Sequence, residues 1–270
     1  MYILLSLIFS FSQVSIASPI IIGHRGASFY APEGTKPSYL LAKKQRVDYL
    51  EADIQRSRDG ILIVFHDKDL KRTTDVVQKF PDRKGEGVGN FTLRELKSLD
   101  AGSWFNLAFP IRARKEYSNL RLLTLEEFLD IAVRKPIYLE TKNPKWYPGI
   151  ERDLYGVLKK RGRLNRNLIL QTFDPSSLVL LNKWMPGIRK CFLLDSGDLD
   201  AVVLAKKNGA SYIGLPIDAY SSQIANVIHG LDLGIHIFTV NDIMYMKRVQ
   251  IEDGIFTNVP DIANQILKTH

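Results

Sequence analysis

Short apolar runs rich in β-branched residues recur from residue 20 to residue 257. Between most of them lie stretches whose apolar residues fall three and four apart. The first spacing suits strands buried on both faces, and the second suits amphipathic helices packed over them. Read this way, the pattern predicts strands near 20–23, 49–53, 137–142, 167–171, 188–193, 211–215, 234–240 and 254–257. Helices are predicted over about 36–45, 124–135, 149–161, 175–183, 198–207, 221–229, 242–249 and 260–267. Strands counted at Ile20, Tyr49, Ile137, Leu168, Ile188, Tyr212, Ile235 and Gly254 alternate with helices, which predicts an α/β fold, a (β/α)8 TIM barrel. An open doubly wound sheet is the competing architecture. It would carry a Gly-rich phosphate fingerprint after the first strand, and Gly23-His24-Arg25-Gly26 is not one.

The second strand carries an extra arm. Glu51 and Asp53 stand two apart and project from one face. Asp59-Gly60 is a strong turn dipeptide, and the apolar run 61–65 follows it. Reversal at 58–60 would bring His66 back opposite Ala52 and Asp53. Two carboxylates and an imidazole would then converge, a cation site with an acid–base group beside it. From 67 to 123 the strand signal is absent. That length exceeds an ordinary connection and reads as an inserted subdomain or lid. Thr73-Thr74-Asp75 and residues 80–89 read as polar loop, Thr92-Leu-Arg-Glu95 as a capping box opening a short helix, and 100–105 as a turn with two aromatics. A second capping box, Thr124-Leu-Glu-Glu127, resumes the alternation.

Composition, charge and the start of the chain change this picture in four places. The chain has 270 residues, 45% hydrophobic and 24% charged, enough for one large core and unlike a disordered chain. Its formal net charge of +8 suits an anionic substrate, yet no Lys/Arg block interleaved with aromatics appears, so nucleic acid is not an expected partner. The single cysteine, Cys191, sits in an apolar run; it forbids an internal disulfide and reads as a small buried hydrophobe. The apolar, uncharged residues 1–17 end in Ser15-Ile16-Ala17, which fits a secretory signal cut after Ala17, without the usual basic n-region. The mature domain would then span 18–270, with no stable membrane insertion, in a periplasmic or secreted location.

The polar residues of the alternating segment gather at strand C-termini, where a barrel places its active site. His24 and Arg25 end the first strand, Glu51 and Asp53 the second, Glu140 and Lys142 the third, and Gln171 the fourth, while His66 returns by the hairpin. Three carboxylates from two adjacent strands make a hard-oxygen site for Ca2+ or Mg2+.

These residues carry a family resemblance. Gly23-His24-Arg25-Gly26, Pro32-Glu33, Glu51-Ala-Asp53, Phe65-His66-Asp67, Arg72-Thr-Thr, Thr92-Leu-Arg-Glu95-Leu, Glu140-Thr-Lys142 and Gly254-Ile-Phe-Thr-Asn258-Val-Pro resemble the glycerophosphodiester phosphodiesterases. The resemblance runs from Ile20 to Pro260, and Thr74-Asp75 with Phe80-Pro-Asp-Arg83 is similar to the periplasmic branch. The sequence departs from the family at Gly34, where Asn is usual, and at Phe238, where Trp is common. Both departures touch substrate contacts.

The resemblance implies a TIM barrel with an insertion after the second strand. It also implies one divalent cation on Glu51, Asp53 and Glu140, with His24 and His66 as acid and base in an order left open. Arg25 and Lys142 would hold phosphate oxygens, with Glu33 and Gln171 completing the substrate contacts. The expected reaction converts a small glycerophosphodiester to sn-glycerol 3-phosphate and an alcohol, by water or by the substrate's own 2-hydroxyl. The all-oxygen ligand set, the insertion and the export signal put Ca2+ ahead of Mg2+. Two other readings remain: a phospholipase D-like lipid-cleaving relative, and a binding protein on the same fold.

Overall fold

The computed structural model describes residues 18–249 and 253–268. The expected signal segment, 1–17, lies outside the described residues. Eight parallel strands close a barrel: β1 (Ile20–Gly23), β2 (Tyr49–Arg56), β4 (Ile137–Thr141), β5 (Leu168–Thr172), β6 (Arg189–Leu193), β7 (Tyr212–Pro216), β8 (Gly234–Phe238) and β9 (Gly254–Thr257). Each pairs with the next in sequence, and β1 joins both β2 and β9 to complete the circle. The extra strand β3 (Leu62–Val64) runs antiparallel to β2, with Ile54 opposite Val64.

The barrel strands are covered on both faces, and the polar face of β2, with Glu51, Asp53 and Gln55, is itself buried. In β1, Ile21 packs toward the helices while Ile22 points into the barrel. The interior holds Ile22, Tyr49, Tyr138, Ile169, Cys191, Leu193 and Phe256, and Cys191 is buried among them as expected. Polar groups inside are paired. Tyr138 Oη lies 2.8 Å from His236 Nδ1, and Arg189 donates to the hydroxyls of Tyr212 and Tyr49 at 2.7 and 2.8 Å.

The helices that wrap the barrel are α1 (Lys36–Lys44), α5 (Leu125–Ile131), α6 (Ile150–Lys160), α7 (Pro175–Trp184), α8 (Leu199–Lys207), α9 (Ser222–Gly230), α10 (Ile243–Met246) and α11 (Pro260–Leu267). In α6, Ile150, Leu154 and Leu158 recur every fourth residue on the buried face. Asp174, Asp198, Ser221 and Asp242 each accept a backbone N–H at a helix start.

Between β3 and α5 the chain forms three short helices: α2 (Val76–Lys79), α3 (Leu93–Ser98) and α4 (Ser103–Ala108). The capping boxes at Thr92 and Thr124 both form as the sequence predicts. Three expectations need correcting. Between the two stretches read as polar loop lies α2, and the second of them buries Val88, which joins Val76 and Phe91 in a second core with Ile63, Phe65, Leu70, Leu96 and Leu99. The turn expected at 100–105 runs into α4, because Phe105 drops into a pocket with Ala31 and Tyr117 and holds the segment helical. The helix expected over 242–249 is only α10, since Met246 alone of its residues is buried and Ile243, Met244 and Tyr245 face solvent.

Candidate active site

The site lies at the C-terminal ends of β1, β2, β4 and β5, and its geometry starts from a turn. After Gly23, Arg25 takes φ 55° and Gly26 φ 91°. A side chain on Gly26 would put its Cβ 2.4 Å from Ser38 Oγ, so only glycine fits. This turn aims the Arg25 amide at Glu51 Oε2, 2.7 Å away. The Arg25 guanidinium then lies between Glu33, at 2.9 Å, and Asp53, at 3.3 Å.

Parallel register sets the carboxylates side by side. Asp53 is level with Glu140, and Glu140 with Gln171. One oxygen from each of Glu51, Asp53 and Glu140 lies within 4.8 Å of the others, and all three residues are buried. Lys142 reaches Glu140 at 2.9 Å and Asp53 at 3.7 Å. Gln171 Nε2 contacts Glu51 at 3.4 Å, and Gln171 Oε1 is buried without a partner.

Three buried carboxylates this close cannot all stay ionised by themselves. Burial and the neighbouring Asp53 charge push Glu51 well above the usual carboxylate range. Burial also raises Glu140 to about 7, against the opposing pull of Lys142. Asp53 is pushed up by burial too, but Lys142 and Arg25 outweigh this and hold it below the usual range. A divalent cation among the three would relieve that repulsion, and the unpartnered Gln171 oxygen offers a further polar contact beside it. The donor set, all oxygen and mostly anionic, fits a hard cation.

The two imidazoles are held by different partners. His24 Nδ1 lies 2.8 Å from Asn258 Oδ1, which also accepts from Ser28 Oγ at 2.8 Å. An oxygen accepting from both makes His24 Nδ1 the protonated nitrogen and leaves Nε2 free. Burial, then the Arg25 charge, lowers the His24 pKa to about 3, so the ring is neutral. His66 arrives as the hairpin predicts: Phe65 N–H donates to Asp53 O at 3.0 Å, which places the next residue beside the carboxylates. Its Nδ1 is 2.7 Å from Asp67 Oδ1. Arg72 grips Asp67 through Nε and Nη2 at 2.6 and 2.9 Å, and Glu33 through Nη1 and the same Nη2 at 2.7 and 2.8 Å. Gln55 fixes the loop from below by donating to the carbonyls of Phe65 and Asp67, both at 2.9 Å.

His24, Arg25, His66, Lys142, the three carboxylates and Gln171 all line one cavity of about 170 Å3, walled by Phe173, Phe238 and Phe256. Glu33 stands behind Arg25 rather than in that cavity. A larger cavity of about 600 Å3 adjoins it, shares Glu140, Lys142 and Phe173, and continues past Trp146, Lys145 and Asp174. Asp67, Arg72 and Asn258 stood in the sequence motifs without a role; the structure makes them the partners that orient His66 and His24. The carboxylate directly after His66 was a readable signal, whereas Asn258 meets His24 only through the closure of β1 on β9.

Comparison with known proteins agrees with this geometry. Residues 24–262 match the model of the glycerophosphoryl diester phosphodiesterase family. A glycerophosphodiester phosphodiesterase of Bacillus subtilis (strain 168) is 36% identical over 273 residues, covering 95% of this chain and 90% of its own. A phosphodiesterase of Oleispira antarctica, solved with the product sn-glycerol-3-phosphate, superposes with a TM-score of 0.78 at 27% identity, over 92% of this chain and 96% of its own. A glycerophosphodiester phosphodiesterase of Agrobacterium tumefaciens str. C58 gives a TM-score of 0.74 at 25% identity, over 92% and 100%. With the match spanning nearly the whole barrel and every strand-end residue of the site, the chain belongs to the glycerophosphoryl diester phosphodiesterase family.

Proposed function

We propose that this enzyme hydrolyses glycerophosphodiesters to sn-glycerol 3-phosphate and an alcohol with His24 as general base and His66 as general acid. The observation that carries this is the pair of imidazoles, each fixed through Nδ1, lining one cavity with the carboxylate triad. A neutral His24 with a free Nε2 can take the proton of the incoming hydroxyl, whether water or the substrate's 2-hydroxyl. His66, held on the Asp67 carboxylate, is placed to give its proton to the departing alkoxide. Arg25 and Lys142 supply positive charge to the phosphoryl oxygens as charge builds in the transition state. Glu33 and Arg72 position Arg25 and His66 rather than touch the phosphate, and Gln171 offers its free oxygen to a substrate hydroxyl.

A divalent cation held by Glu51, Asp53 and Glu140 would supply Lewis-acid polarisation of the phosphoryl oxygen. Calcium is favoured over magnesium because all three protein ligands are carboxylates and several can be accommodated in its flexible shell. The head group of the leaving alcohol would enter the adjoining cavity past Phe173 and Trp146. Export to the periplasm or medium is supported by the apolar start and its small-residue end at 15–17. Amino-terminal sequencing of the protein recovered from outside the cytoplasm tests that point, with Ser18 as the expected first residue. For the reaction, a panel of soluble glycerophosphodiesters is assayed for released alcohol and glycerol 3-phosphate, with and without chelator. Absence of product from every member, with the cation present, refutes the reading.

A further inference from the structure

The insertion ends in a protrusion that the reaction does not use. After buried Phe105 come Leu107, Ala108, Phe109, Pro110 and Ile111, all apolar and all exposed. Leu107 is 82% and Ile111 102% exposed, which is what a convex tip gives and a flat face does not. The tip is built rather than frayed. The Asn106 side chain clasps its two ends, donating to Arg114 O at 2.8 Å and accepting from Arg114 N–H at 3.0 Å. Below it, Phe105 lies tilted against Phe109 and meets Tyr117 edge-on, which fills the space beneath the tip and leaves Leu107 and Ile111 outside.

Two further features orient this tip. Arg112 lies over the rings of Phe29 and Phe109, at 4.0 and 4.1 Å, and donates to Phe29 O, tying the insertion to the loop after β1. Phe29, itself 45% exposed, donates its amide to the carbonyl of Asn258, the residue whose side chain holds His24. The apolar tip therefore belongs to the catalytic face. Basic residues follow directly: Arg114 and Lys115 are exposed, and Glu116 meets Arg114 in an open surface pair at 3.7 Å.

We propose that this tip docks the enzyme on the surface of an anionic phospholipid bilayer, with Leu107 and Ile111 entering the acyl boundary and Arg114 and Lys115 against the lipid phosphates. Charge complementarity favours this occupant, in a chain of net charge +8. Shape favours it too, because a deformable lipid layer accepts a narrow convex tip that offers little area to a rigid partner. Docking would face the active site toward the place where deacylation of phospholipids releases the glycerophosphodiester substrate, so the reaction class upstream is hydrolysis of both acyl esters.

The test uses the chain from Ser18 onward, which contains every described strand and helix of the barrel. It is sedimented with vesicles of phosphatidylcholine mixed with an equal part of phosphatidylglycerol, and with phosphatidylcholine alone. Binding to the mixed vesicles, weakened by salt, is expected. The double substitution Leu107→Ser with Ile111→Ser should weaken it by at least about 10-fold, from the apolar transfer lost. Arg114→Glu with Lys115→Glu should weaken it by about 10-fold or more and flatten the salt dependence. Turnover of soluble glycerophosphocholine should stay unchanged in both, which separates this proposal from the catalytic one. Wild-type protein that ignores the mixed vesicles overturns the proposal, as does equal binding by the Leu107/Ile111 variant. Equal binding to neutral vesicles overturns it too. Self-association abolished by the same substitutions, without vesicle binding, overturns it in favour of a second copy of the chain.

Discussion

Removing one imidazole at a time, and changing the leaving group, separates the two histidines. His24 and His66 each present one ring nitrogen to the cavity, because the other is committed to Asn258 at 2.8 Å and to Asp67 at 2.7 Å. General acid or base catalysis by a placed group contributes about 10²–10⁴-fold, or roughly 2.7–5.4 kcal/mol of barrier. His24→Ala and His66→Ala should therefore each lower kcat on glycerophosphocholine by that factor, with circular dichroism unchanged. The double variant should be little worse than the worse single one, since the two groups act in one transition state. A choline alkoxide needs a proton to depart, whereas a 4-nitrophenolate does not. On glycerol 3-phosphate 4-nitrophenyl ester, His66→Ala should recover most of its loss and His24→Ala should recover none. Turnover is measured at saturating cation and substrate for each variant on both esters. Recovery in His24→Ala instead would reverse the assignment. Near wild-type turnover of glycerophosphocholine by either folded variant would refute acid–base catalysis by this pair.

Dialysis against EDTA should abolish turnover and calcium should restore it better than magnesium; Glu51→Ala should lose turnover together with calorimetric cation binding, and full activity after chelation would sink the cation site. Gly26→Ala should cost about 1–3 kcal/mol from its positive φ alone and lower activity as well, because the Cβ collides with Ser38 and displaces the Arg25 amide from Glu51; a variant with unchanged melting temperature contradicts the steric reading. His236, buried beside Tyr138 and Tyr212, has its pKa lowered by burial to about 3 from 6.5 in the unfolded chain. The stability linked to its neutral form is therefore complete above about pH 6.5 and falls toward pH 3, at up to about 1.4 kcal/mol per pH unit. Thermal melts of wild type and His236→Gln between about pH 7 and 5 should show the shallower slope in the variant.

The barrel is legible because its strands, covered on both faces, are short and mostly apolar with their polar residues gathered toward one end, and because aspartate, serine and threonine caps mark the helix starts. The hairpin follows from Asp59-Gly60 and the apolar run after it, which together bring His66 back beside Asp53. Partners set by chain closure were not legible. Asn258 and His24 lie 234 residues apart, and nothing local to either specifies the hydrogen bond. The helix α4 was missed because its N-cap, Gly102, offers no side chain to the first turn, so the usual start signal is absent. The stop of α10 is not marked in the sequence: Asp242 caps its start, and Met246 and Val249, three apart, both pack on the core although the helix ends between them.

The charge balance explains why lysine and arginine stand among carboxylates that a cation is expected to need. Glu51, Asp53, Glu140, Glu33 and Asp67 are five acids in one connected cluster, and Arg25, Lys142 and Arg72 are its three permanent cations. A divalent ion would make up the difference, so the cluster would reach neutrality with the cation bound and no substrate present. An anionic phosphodiester then enters a site that no longer repels it. Had the cluster held only the triad, the bound cation would have been left with a residual negative charge facing the phosphate. Arg25 and Lys142, which line the same cavity, would offset that charge. Glu33 and Asp67 in turn keep the arginines extended and oriented, so each acid beyond the triad has a geometric task that does not compete for the cation. The same balance predicts that no charge among Glu51, Asp53, Glu140, Arg25 and Lys142 can be removed silently, because each deletion unmasks a buried neighbour of the opposite sign.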